Sequence, residues 1–137
     1  MRELAHRYAA AVDDRDFAAV AALFAADGVL AVPQPPKELD PVTEYVGPAG
    51  VLQAMAALSG IQKTFHAVVG EMYDGTRGRI ACTAHHFVER GGSITDHVWH
   101  VRYLDDYVET PGGWRFARRE VHVDAVESRG VETLRSS

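Results

Sequence analysis

A chain of 137 residues that is 47% hydrophobic and 24% charged has the size and composition of one ordinary globular domain, which excludes a disordered or fibrous chain. Its 19 acidic and 14 basic side chains give a formal charge of −5 with no Lys/Arg cluster, so nucleic acid is excluded as an expected partner. No run of about 18 apolar residues is present and the first residues open an amphipathic pattern, so neither a membrane span nor a signal peptide is expected. These features predict a single domain over 1–137, with a core at about 3–125, a weakly ordered tail at 126–137 and a cytoplasmic location. Cys82 is the lone cysteine; it forms no intramolecular disulfide and reads as a small apolar filler in a strand.

Leu4, Tyr8, Ala11 and Val12 stand at helical spacing, and Phe17, Val20, Leu23 and Phe24 repeat it. Two helices are predicted, broken at Asp13-Asp14-Arg15-Asp16, where Asp16 or Asp14 is placed to accept from the first free amides of the second helix. Asp27-Gly28 is expected to stop that helix. Val29 to Val32 reads as a short strand. The prolines at 33, 35, 36 and 41 predict a loop over 33–44 at a pocket rim. Tyr45-Val46 is a brief extended piece, Pro48 suits the first turn of a third helix through Leu58, and Gly60 ends it. Four strands follow, at about 63–72, 77–90, 93–108 and 114–125, joined by turns at Asp74-Gly75, Gly91-Gly92 and Pro111-Gly112-Gly113.

Helices followed by a long meander make an α+β arrangement: a curved, mostly antiparallel sheet, with the N-terminal helices packed on one face. Such a sheet leaves a concave cavity lined by alternate residues of each strand. Of seven histidines, His66, His85, His86, His97 and His100 fall in three consecutive strands, with His122 in the fourth. His85 and His86 are neighbours, so one faces in and one out, and His97 and His100 also differ in parity.

His66 lies in Thr64-Phe65-His66-Ala67-Val68-Val69 and requires an acid partner to act as a base. Asp13, at the end of the first helix, fits that role, because a carboxylate on one imidazole nitrogen raises basicity at the other. By spacing alone, Asp13 and Asp14 read equally as helix-end residues and His66 as a hydrogen-bonded core histidine.

The run Tyr8-Ala9-Ala10-Ala11-Val12-Asp13-Asp14-Arg15-Asp16-Phe17, with Leu23-Phe24 and Asp27-Gly28, resembles the opening of SnoaL-like proteins in the nuclear transport factor two-like superfamily. Gly47-Pro48, Thr64-Phe65-His66, Arg102-Tyr103-Leu104-Asp105 and Gly113-Trp114-Arg115-Phe116 with Arg119 follow in the same order. Each motif is short, but together they cover about residues 3–125. The resemblance implies a cone-shaped α+β barrel, a mixed sheet wrapped around N-terminal helices. Within the superfamily the chain is most similar to the branch holding scytalone dehydratase and hexachlorocyclohexane dehydrochlorinase. In that branch an Asp at the end of the first helix orients a His early in the sheet, and the matching positions are Asp13 and His66. The resemblance therefore implies a cofactor-independent lyase or isomerase acting on a small, mostly apolar molecule by dehydration, elimination, double-bond shift or cyclisation.

The chain departs from scytalone dehydratase at Val12, where that family has a tyrosine, so its substrate is not implied. Tyr45, His86 and His100 are the candidate substrate-binding residues. Arg118, Glu120 and His122 share a face of the last strand and read as a solvated or interface ion-pair row. No His-x-Glu, His-Glu-x-x-His or Cys pair is present, so no metal is expected and no cofactor is implied; the Gly-Gly pairs sit in hairpin turns and precede no helix. Rival readings are a non-catalytic ligand-binding module and an accessory subunit resembling the small subunit of ring-hydroxylating dioxygenases. An outer sheet face carrying Thr83, His85 and Phe87 predicts self-association, with a homodimer ahead of a trimer.

Overall fold

The computed structural model describes residues 1–136, so Ser137, the last residue of the expected tail, lies outside the described residues. Helix α1 (Leu4–Asp13) buries Leu4, Ala5, Tyr8, Ala9 and Val12, the i, i+4 stripe that its sequence carries. It ends because Arg15 turns left-handed (φ 59°), allowing the Asp16 amide to reach back to Ala11 O at 2.9 Å. A non-glycine residue there costs energy, and the Arg15 guanidinium offsets it by donating to the carbonyls of Leu58 and Ile61. Asp16 caps α2 (Phe17–Ala22) by accepting from the Ala19 amide at 3.2 Å.

The chain enters strand β1 (Phe24–Gln34) directly, so Asp27-Gly28 lies inside a strand and does not terminate a helix. Between Phe24 and Val29 the register on the last strand shifts. A Cβ at Gly28 would meet Phe116 O at 2.6 Å, so only glycine permits this close approach. The expected loop over 33–44 is instead a hairpin: β1 continues to Gln34 and β2 (Glu38–Val46) returns antiparallel to it. Prolines are tolerated because Pro33 falls where the β1–β2 register slips, and Pro41 lies on β2, an edge strand of the sheet.

Helix α3 (Gly47–Met55) begins with Pro48 in its first turn and runs into a short 3₁₀ turn, Ala56–Gly60. Strands β3 (Lys63–Asp74), β4 (Arg77–Arg90), β5 (Ser93–Thr110) and β6 (Gly113–Val131) complete the sheet. The order is β2-β1-β6-β5-β4-β3, and the β1–β6 pair is parallel while the others are antiparallel. The result is a mixed, curved, unclosed α+β sheet around the N-terminal helices. Strand β6 runs past the expected end at 125: a register shift opposite His100 and Val101 lets pairing continue to Ile94↔Val131.

Leu30, Val20, Val51, Ile80 and Phe116 fill the core between helices and sheet. A buried ion pair joins them, with Arg119 Nε donating to Asp105 Oδ1 at 2.9 Å and both side chains fully enclosed. Tyr107 adds a hydroxyl donor to Asp105 Oδ2 at 2.9 Å.

Candidate active site

The concave face holds a cavity of about 480 Å³, walled by β1, the β2 hairpin, α3 and the inner residues of β3 to β6. Two adjacent cross-strand rows supply one wall: His66–Ala84–Trp99–Val126, and His86–His97 from the row Thr64–His86–His97–Ser128. Among the described residues, no Asp, Glu, Lys or Arg lines the cavity; its polar side chains are imidazoles, phenols, the Trp99 indole, Gln34 and Thr43.

Asp13, on the last turn of α1, meets His66 on β3. The imidazole Nδ1 lies 2.7 Å from Asp13 Oδ1, and the His66 amide donates to Oδ2 at 2.8 Å. Thr64 Oγ1 donates to Oδ1 at 2.9 Å. Burial disfavours the charged carboxylate, but the His66 side-chain and backbone bonds, the His66 charge and Thr64 outweigh it and hold Asp13 below its ordinary pKa. An ionised carboxylate only accepts, so the hydrogen bond assigns the proton to Nδ1 and leaves Nε2 as a lone-pair acceptor. Nε2 has no partner among the described residues and is not among the enclosed unpaired atoms, so it opens into the cavity that His66 lines.

His86 lines the same cavity and Tyr45 reaches it from β2. His86 Nδ1 donates to the carbonyl of His97 at 2.9 Å, which leaves its Nε2 as an acceptor. Burial pushes the imidazole down to about 4, against the pull of that carbonyl, so it is neutral at physiological pH. Its ring packs 4.5 Å from Trp99 and 6.1 Å from His66.

The structure does not bring His100 to this site. It stands on the outer face, paired across the strands with Thr83 and Ala125, and its Nε2 meets Glu127. His97 occupies the inner parity of β5, because its cross-strand partner is the inward His86. Strand alternation separates His97 from His100 but does not say which one faces inward. Tyr8, Trp99 and Tyr103 also line the cavity. Tyr8 carried a signal, standing one helical turn before Val12 on the stripe read as core. Arg118, Glu120 and His122 form an ion-pair row on the outer face with Glu44 and Asp40. Among the described residues, no group of three His, Cys, Asp or Glu side chains is arranged to hold a metal, and no helix is long and apolar enough to cross a membrane.

A family model for the SnoaL-like domain matches residues 1–120. The chain belongs to the SnoaL-like domain family. No curated protein matches it. Among solved structures, a candidate scytalone dehydratase from Novosphingobium aromaticivorans superposes with a TM-score of 0.75 at 21% identity, over 96% of this chain and 86% of that one. A hexachlorocyclohexane dehydrochlorinase from Novosphingobium barchaimii gives a TM-score of 0.79 at 15% identity, over 98% and 91%. A protein with a ketosteroid isomerase-like fold from Catenulispora acidiphila gives 0.68 at 16% identity, over 88% and 84%. At these identities the likeness is one of fold. In this SnoaL-like chain Val12 precedes the aspartate, so the wall beside the dyad is apolar.

Proposed function

We propose that this SnoaL-like protein is a cofactor-independent lyase or isomerase that moves a proton on a small, neutral, mostly apolar organic molecule. The observation that carries this reading is the Asp13–His66 hydrogen bond, with Nε2 open to a mostly apolar cavity that, among the described residues, no charged side chain lines. His66 Nε2 takes a proton from an activated carbon while Asp13 stabilises the imidazolium that forms. The electron pair of the broken C–H bond forms a new double bond. Either a leaving group departs with its own bonding pair and receives the proton, or the proton returns at another carbon of a conjugated system. His86 and Tyr45 are the proposed substrate contacts, His86 accepting from a hydroxyl or N–H of the substrate.

The test is carbon-bound hydrogen exchange. β-Hydroxy ketones and β,γ-enones of one to three rings are incubated with the protein in D₂O and followed by NMR. Exchange or turnover with the wild type that disappears in His66→Ala supports the reading. Binding of the same compounds without exchange or turnover in the wild type argues for the ligand-binding alternative. We also propose that copies of the chain cover the outer face, where Phe65 is 57% and Met72 71% exposed. Sedimentation is expected to show a dimer.

A further inference from the structure

We infer that the tip of the β1–β2 hairpin, residues 32–43, is a movable wall of the cavity, fastened from outside by the ion chain Asp40–His122–Glu120–Arg118–Glu44. This rests on reading the cavity as the ligand site and is independent of the chemistry assigned to Asp13 and His66. The backbone supports the hairpin on one short stretch. Strand β1 pairs with β6 as far as Ala31↔Glu120, whereas β1 and β2 stay paired out to Gln34↔Glu38. No residue of 32–43 pairs with β6, so the tip projects as a two-stranded ribbon, a form with little stability of its own. The inner face of that ribbon forms part of the cavity wall, through Val32, Gln34, Pro36 and Thr43.

The outer face carries the fastening. His122 Nδ1 meets Asp40 Oδ1 at 3.0 Å and its Nε2 meets Glu120 Oε1 at 2.9 Å, so the protonated ring donates to both carboxylates. Arg118 then donates from Nε to Glu120 at 2.7 Å and from Nη2 to Glu44 at 2.8 Å. Glu44, Ala31 and Glu120 occupy one cross-strand row, and the small Ala31 leaves room for Arg118 to reach over β1 to β2. Among the described residues, Asp40–His122 is the one side-chain hydrogen bond or ion pair that ties residues 32–43 to the rest of the protein.

The strength of these contacts suits a latch that opens. The Asp40 side chain is 84% exposed and that of Glu44 56%, and exposed ion pairs are individually weak and readily exchanged with water. Val32 also packs against the core, so the ribbon rests shut and the ion chain shifts its balance toward closure. Loosening the chain raises the open fraction, and a ligand then enters and leaves more often in the same proportion.

The test has two readouts. Nitroxide labels at Lys37→Cys, on the hairpin turn, and Arg90→Cys, at the end of β4 four strands away in the sheet, report their separation by double electron–electron resonance with no ligand present. Cys82 is buried and escapes the label. In this background Asp40→Asn and Glu44→Gln are each expected to raise the longer-distance fraction about 1.5- to 5-fold, the range of one exposed ion pair. Arg7→Gln, which breaks the Arg7–Glu3 pair on α1, should leave the distances unchanged. Stopped-flow fluorescence of prodan, a neutral naphthyl ketone, gives the second readout on the unlabelled protein. Association and dissociation are both expected to speed up about 1.5- to 5-fold in the two latch variants, with Kd held within about two-fold, whereas lost packing would speed dissociation alone. An unchanged distance distribution overturns the latch whatever prodan does. Longer distances with unchanged rates, faster dissociation alone, an equal effect of Arg7→Gln, or no prodan binding by the wild type would each overturn the gate. Neither readout involves turnover, so failure here leaves the lyase or isomerase reading standing, and an inactive protein would leave the gate.

Discussion

Asp13 holds His66 at two points, one carboxylate oxygen on the ring Nδ1 at 2.7 Å and the other on the backbone amide at 2.8 Å. The second contact ties the carboxylate to the strand itself, so the orientation of the imidazole does not depend on one torsion of either side chain. A strand residue and a helix end 53 positions apart are locked into one unit.

The dyad sets the first prediction. His66→Gln is expected to lower turnover about 10²- to 10⁴-fold, the usual contribution of a positioned base. Asp13→Asn keeps the shape but removes the ionised acceptor that selects the tautomer, and is expected to lower kcat more than it raises KM. Steady-state kinetics on any substrate found by deuterium exchange checks both.

Asp13 also predicts a pH dependence of stability. Its pKa in the fold is below the ordinary 3.8, so its contribution is complete above about 4 and is lost as pH falls through the folded value. Thermal melts between pH 5 and 2 should therefore show a steeper acid loss in the wild type than in Asp13→Asn. Parallel curves would remove the linkage.

His86 acts in a different window. It titrates at about 4 in the fold against 6.5 in the open chain, so the unfolded state takes up its proton first as pH falls. The stability it confers is full above 6.5 and disappears progressively toward 4, a difference on the order of 3 kcal/mol for this buried ring. Urea midpoints measured from pH 7 to 4.5 should fall less in His86→Phe than in the wild type.

Arg119 and Asp105 form the buried pair beneath Tyr8 and Tyr103. Removing one partner, as in Asp105→Leu, leaves an uncompensated charge and is expected to cost about 3–5 kcal/mol by urea denaturation. Combining Asp105→Leu with Arg119→Met should recover part of that loss. A fully additive double variant would show the pair to be energetically uncoupled.

Arg15 separates backbone strain from side-chain bonding. Arg15→Ala keeps the left-handed backbone without the bonds to Leu58 and Ile61, whereas Arg15→Gly removes the bonds and the strain together. The alanine variant should be less stable than the glycine variant by about 1 kcal/mol, read from thermal melts.

The helices and the meander were legible because their information is local. The apolar stripe of α1, the Asp16 cap, Pro48 at the start of α3 and the Gly-bearing turns each act within a few residues. The family resemblance was carried by the same short motifs, in order along the chain. Elements set by non-local contacts were misread. Asp27-Gly28 has the form of a helix stop, yet the carbonyl of Phe116 on β6 is what demands glycine at 28. The prolines of 33–41 have the form of a loop, yet a register slip and an edge strand accommodate them. Residues 126–131 of the expected weak tail became strand because the first third of β5 needed a partner.

The sequence by itself determined that Asp13 ends a helix, that His66 lies in a strand, and that His85 and His86, like His97 and His100, face opposite ways. Alternation has period two and no sign, so only the tertiary structure decided which member of each pair enters the cavity. It turned His86 and His97 inward and His100 out to Glu127. It also surrounded Arg119 with the rings of Tyr8 and Tyr103, residues 95 positions apart that meet because helix α1 packs into the sheet's concave face. Helical and strand periods are written within a few residues, whereas the meeting of α1, β3 and β5 depends on how far the whole sheet curves.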